Sequence, residues 1–108
     1  GRRIMLKEIE THREQIADLC RRYGIRRLEL FGSAARGTDF EPGRSDIDFL
    51  VDFNDDEPRT PEDYLDLESQ LSDLLDRPVD VISRSAVERS RNYIRRRSIL
   101  RDAQAIYG

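Results

Sequence analysis

The sequence predicts an α/β domain of the α+β kind: a small mixed sheet of about three to four strands with helices packed against it. Three observations carry that prediction. Short apolar runs with period-two alternation occur at Arg27–Phe31, Asp46–Phe53 and Val79–Ile82. Longer stretches with helical apolar spacing, Ile4–Tyr23 and Thr60–Leu75, lie before and between them. The resulting order α-β-α-β-α-β-α, over 108 residues without repeats or low-complexity linkers, reads as one domain spanning 1–108.

Each element has its own justification. Ile9, Ile16, Leu19, Cys20 and Tyr23 form one stripe on the first helix, and Gly24 supplies a left-handed stop after Arg21 and Arg22. His12 lies off that stripe and reads as a surface residue. In the first strand Leu28 and Leu30 face one way, Glu29 and Phe31 the other. Gly32-Ser33 ends it, Ala34-Ala35-Arg36 begins a short helix, and Pro42-Gly43 marks a turn in the polar connection that follows. On the second strand Ile47, Phe49, Val51 and Phe53 share one face; Asp46, Asp48, Leu50 and Asp52 share the other. Thr60-Pro61-Glu62-Asp63 is a helix start, with Thr60 as N-cap and acids at the positive end of the dipole. Tyr64, Leu67, Leu71, Leu74 and Leu75 make that helix's buried stripe. Ser85-Ala86-Val87-Glu88 reads as a capping box opening a last helix that runs to about Leu100 or Ala103. Ala105–Gly108 is expected to dock as a short extended segment.

Composition narrows the function. The net charge of -3 hides a segregation: residues 1–38 carry nine basic and five acidic groups, 39–76 two and fourteen, 77–108 eight and three. The overall balance argues against a dedicated duplex-DNA binder, which shows a broad basic footprint. No apolar run approaches membrane-spanning length. A single cysteine, Cys20, placed in an apolar stripe, points to core filling and a reducing cytoplasm.

The chemistry concentrates in three aspartates and a Gly-Ser turn. Residues i and i+2 of a strand project from one face about 7 Å apart, so Asp46 and Asp48 converge. Asp80, between Val79 and Val81, leaves the apolar side in the same way. If its strand neighbours the Asp46 strand, the three carboxylates form one cluster. Such a cluster repels itself unless a cation compensates, and hard Mg²⁺ takes carboxylate oxygens. Two metal ions about 3.5–4 Å apart would hold both oxygens of an in-line phosphoryl displacement. Gly32 lets backbone approach a triphosphate, Ser33 adds a hydroxyl, and a helix N-terminus would present N–H groups to the same anion. Arg36 either reaches a phosphate or pins the acidic loop. Asp52 shares the face but lies at the far end, and reads as surface.

The motifs GSAARG, SDIDFLV and VDVIS resemble those of the nucleotidyltransferase fold shared by DNA polymerase beta and its relatives. In size and detail the chain is similar to the minimal nucleotidyltransferase (MNT) domain, the antitoxin partner of HEPN-domain toxins. That resemblance implies Asp46 and Asp48 as holders of both metals, and Asp80 as a third carboxylate and base for the acceptor hydroxyl. It implies Gly32 and Ser33 as nucleotide-binding positions, beside which Arg36 stays a candidate, with ATP as substrate and Mg²⁺ or Mn²⁺ as cofactor. The activity implied is AMP transfer from ATP to a tyrosine of a HEPN RNase toxin, within a hetero-oligomer with that toxin. The twelve residues between Ser33 and Asp46 slightly exceed the commonest family spacing.

Two further readings fit the residues: a non-catalytic antitoxin that binds nucleotide and neutralises its partner by occlusion, and a small-molecule nucleotidyltransferase. The second is disfavoured, because no second domain is available to build an acceptor pocket. Acceptor specificity is then expected from the partner, and Tyr93, Ile94, Arg96 and Arg97 of the last helix are the expected partner-facing residues.

Overall fold

A computed structural model describes residues 7–32, 47–54 and 59–108. The elements are α1 (Lys7–Thr11), α2 (Arg13–Tyr23), β1 (Ile25–Phe31), β2 (Ile47–Phe53), α3 (Pro61–Leu75), β3 (Val79–Ser83), α4 (Arg84–Glu88), α5 (Tyr93–Asp102) and β4 (Gln104–Tyr107). The strands form one mixed sheet in the order β3-β2-β1-β4. β2 runs antiparallel to β1 and parallel to β3, while β4 pairs antiparallel with β1. A four-stranded mixed sheet is what the apolar runs predicted, and the C-terminal segment does dock in extended form, as an edge strand.

The parallel β2–β3 connection is long because it must cross over the sheet, and α3 is that crossover. Its start follows the local chemistry closely. Thr60 adopts extended geometry, its side chain accepts from the Asp63 N–H, and the Asp63 carboxylate accepts from the Thr60 N–H at 2.8 Å. Its end comes at Asp76, which takes a left-handed φ of 55°. α3 also covers a sheet edge: the Glu68 carboxylate accepts from the Val81 N–H at 2.8 Å. That bond occupies a backbone donor that an open edge would offer to another chain.

The main core lies on one face of the sheet. Leu28, Leu30, Ile47, Phe49, Val51, Val79 and Val81 pack there against Ile9, Ile16, Leu19 and Cys20 of the first two helices and Leu67, Leu71 and Leu75 of α3. Burial pushes the Cys20 thiol up to about 12, as fits a packing residue. The other face carries Leu50, fully buried, and is partly covered by α4 and α5.

Two expected helices are divided. The first breaks at His12, whose φ of -106° and ψ of 20° leave helical geometry. The ladder bridges the break, since the His12 N–H donates to the Glu8 carbonyl and the Ile16 N–H to the His12 carbonyl. His12 Nδ1 also lies 2.9 Å from the Glu8 carbonyl, and the residue is half-buried where a surface position was expected. The last helix starts earlier than Ser85. Ser83 continues the extended strand and its hydroxyl accepts from the Ala86 N–H, leaving Ser85 inside the helix. α4 then stops, and Asn92 caps a second helix by accepting from the Arg95 N–H at 3.1 Å. Closely spaced side chains able to bond nearby backbone offered more than one cap, and the strand's geometry selected Ser83.

Candidate active site

β1, β2 and β3 bring the described site residues to one end of the helix-poor face. In the β2–β3 ladder Asp48 stands directly opposite Asp80, and in the β1–β2 ladder Asp48 stands opposite Phe31. Residues paired across a ladder share a face, so Asp48 and Asp80 project to the same side on strands about 4.8 Å apart. The reason is simple alternation: Ile47, Phe49, Val79 and Val81 take the core side, which leaves both aspartates the other. Asp48 is half-buried and Asp80 exposed.

Gly32 follows β1 with a φ of +75°. A Cβ built there would lie 2.7 Å from Asp48 Oδ2. Two features favour glycine at this turn: the left-handed backbone, and an Asp48 carboxylate that would have to shift to admit a Cβ. The turn and the aspartate are one structural unit. Ser33, Arg36 and Asp46 lie outside the described residues, as do the Ala34–Arg36 helix, the Pro42-Gly43 turn and the acidic segment 55–58. Among the described residues no three metal-ligating side chains converge. The pair they do present, two carboxylates on neighbouring strands, is an oxygen donor set suited to a hard divalent cation.

Beside this pair the face carries a feature that strand alternation alone left unassigned. Glu29 is 3% exposed, and its carboxylate pairs with Arg84 and, at 3.5 Å, with Arg27 Nη2. Glu29 sits opposite Leu50, so it shares the Asp48 face two residues along the sheet. The ion pair fixes the start of α4 over that face. The place of Glu29 between the buried Leu28 and Leu30 was the one local signal of burial. Asp52, expected at the surface, is partly covered and accepts from Arg26 Nη2 at 2.6 Å.

The nucleotidyltransferase domain family model matches residues 12–106. The chain belongs to that family. A protein adenylyltransferase of Thermococcus cleftensis, MntA, is 34% identical over 89 residues, covering 79% of this chain and 83% of the relative. A solved structure assigned as a minimal nucleotidyltransferase is 35% identical, covers 96% of this chain and 98% of its own, and superposes with a TM-score of 0.70. The fold also matches a chain in a crystal structure of a toxin–antitoxin complex containing MntA, at 25% identity and a TM-score of 0.64, over 88% of this chain and 71% of that one. In the sheet, the Gly32 turn follows β1, and Asp48 and Asp80 lie on the neighbouring β2 and β3. No helix among the described residues is long and apolar enough to cross a membrane.

Proposed function

We propose that this nucleotidyltransferase is a protein adenylyltransferase that acts as an antitoxin, moving AMP from ATP onto a tyrosine hydroxyl of a HEPN-domain RNase toxin. The observation that carries the reading is the in-register Asp48–Asp80 pair beside the Gly32 turn, where a Cβ would meet the Asp48 carboxylate at 2.7 Å. The kinship with MntA supports the reaction, and its presence in a toxin–antitoxin complex supports the partner.

In this reading Gly32 and Ser33 bind the triphosphate, and Arg36 neutralises one of its oxygens. Asp46 and Asp48, with Asp80, would hold divalent metal, Mg²⁺ or Mn²⁺, which when bound offsets the charge on the phosphates. Asp48 and Asp80, oxygen donors held side by side on neighbouring strands, fit that role. The tyrosine oxygen forms a bond to the α-phosphorus as the bond from that phosphorus to the bridging oxygen breaks. Pyrophosphate leaves, and Asp80 takes the phenolic proton. The toxin's RNase activity is silenced by the modification.

The test is transfer of label from α-labelled ATP to the toxin encoded beside this gene, comparing the wild type with Asp48→Asn. The expected result is a labelled toxin with loss of RNase activity, and a loss of at least 100-fold in labelling by the variant. A toxin neutralised equally by both proteins, with no label on either, would establish occlusion instead.

A further inference from the structure

A cavity of about 230 Å³ opens between β3, α4 and α5, lined among others by Ile82, Val87, Ile99, Ser90, Arg95 and Arg96. Ile82 alternates with Asp80 on β3 and pairs with Leu50 as Asp80 pairs with Asp48. It therefore emerges on the catalytic face, about 7 Å along the strand from Asp80. We propose that this cavity is the acceptor pocket: it receives the tyrosine ring of the protein substrate and presents its hydroxyl toward Asp80. The inference rests on the adenylyltransferase reading and adds the position and chemistry of the second substrate.

The direction of attack argues for it. In-line displacement places the incoming oxygen opposite the departing pyrophosphate. The triphosphate-binding turn follows β1, the metal-binding strand is β2, and β3 lies on the far side of β2 from β1. With pyrophosphate held at the β1 end, the acceptor approaches from the β3 side, and Ile82 and Ser83 of β3 line this cavity. Size agrees as well. The volume is below the about 300–1,000 Å³ of pockets that hold drug-sized ligands, which suits one ring better than a nucleotide.

The walls and rim define the substrate further. Ile82, Val87 and Ile99 supply apolar surface for a ring, and Val87 is buried. Ser90 and the two arginines supply polar atoms at the mouth; Arg96 Nη1 is braced on the Ser90 carbonyl at 2.7 Å. The segment from Arg84 to Arg97 holds six arginines and one acid, Glu88. A guanidinium stacks on aromatic rings and attracts carboxylates. The acceptor tyrosine is thus expected in an acidic segment of the partner.

Two substitutions test the pocket. Ala86 lines it from α4 and is exposed, so Ala86→Phe fills the cavity from the rim; Arg95→Glu reverses the rim charge at an exposed position. Each variant is assayed with α-labelled ATP and the toxin, alongside ATP binding. We expect a toxin KM at least 10-fold higher for both, with ATP affinity within 2-fold of wild type. A lysine-flanked tyrosine peptide should compete with the toxin less well than an aspartate-flanked one, and Arg95→Glu should remove the difference. Wild-type toxin KM in both variants would overturn the pocket while leaving the transferase reading intact. Failure of the wild type to label the toxin would overturn both. If Ala86→Phe does not fold, Arg95→Glu decides alone.

Discussion

Replacing Gly32 by alanine separates the cost of a strained backbone from the cost of a displaced carboxylate. The left-handed φ of +75° costs an L-residue about 1–2 kcal/mol, which for a domain of this size lowers Tm by about 5–10 °C. The new Cβ would also stand 2.7 Å from Asp48 Oδ2, where ordinary contact begins at 3.4 Å. The Asp48 side chain is flexible and yields by about 0.7 Å, so little further stability is lost. Its position relative to the nucleotide is another matter, because misplacement on the order of 1 Å costs about 100-fold in rate. Gly24→Ala supplies the control. Gly24 has a similar φ of +67°, but among the described residues its Cβ would meet only Arg59 Nη2, at an ordinary 3.6 Å. The two variants should lose comparable stability in thermal denaturation followed by circular dichroism. Only Gly32→Ala should lose AMP transfer, by about 100-fold. Equal activity in the two, measured below both melting points, would refute the coupling of turn and carboxylate.

Other consequences follow from the ion pairs and the core. Glu8 accepts from Arg77 Nη2 at 2.5 Å, and that bond holds its carboxyl below the ordinary carboxylate range. A depressed folded-state pKa contributes stability that is present above the unfolded value of 4.5 and lost as pH falls through the folded one. Glu8→Gln should therefore cost up to about 1 kcal/mol at pH 7, with the difference shrinking as pH falls below 4.5 and through the folded value, read by urea denaturation across that range. Glu29→Ala removes the buried partner of Arg84 and should cost about 2–4 kcal/mol, with a fall in transfer as α4 loosens; a stability change under 1 kcal/mol would show that Glu88, 3.4 Å from Arg84 Nε, replaces it. Cys20, buried and with its thiol pushed up to about 12, should resist alkylation at pH 8 in the folded protein and react once it is unfolded.

Much of the sheet was legible because alternation on a strand leaves few choices. Once Ile47, Phe49, Val79 and Val81 were assigned to the core, Asp48 and Asp80 had to share the opposite face, and the parallel register set them side by side. The α3 start was equally readable, since Thr60, Pro61 and Asp63 each favour the same position. Where several residues competed for one role, the sequence was ambiguous. Ser83 and Ser85 both offer an N-cap, and Asn92 introduces a second one inside what periodicity presents as a single helix. Nothing local to His12 marks a break. Glu29 was placed on the correct face, but its burial depends on Arg84, 55 positions away, and no local pattern reports such a pair. Of the residues expected to face a partner, Tyr93 and Ile94 are 60% and 68% exposed, on a helix with no fully buried residue.

Asp48 is where the turn, the strand pairing and the proposed chemistry meet, so its isosteric replacement is the most direct test. Asp48→Asn keeps the shape and removes the charge. In a labelling assay with α-labelled ATP, Mg²⁺ and the toxin encoded beside this gene, wild type should label a toxin tyrosine. The variant should fold normally, still bind the toxin, and label it at least 100-fold more slowly. A variant that labels the toxin at the wild-type rate would contradict the account.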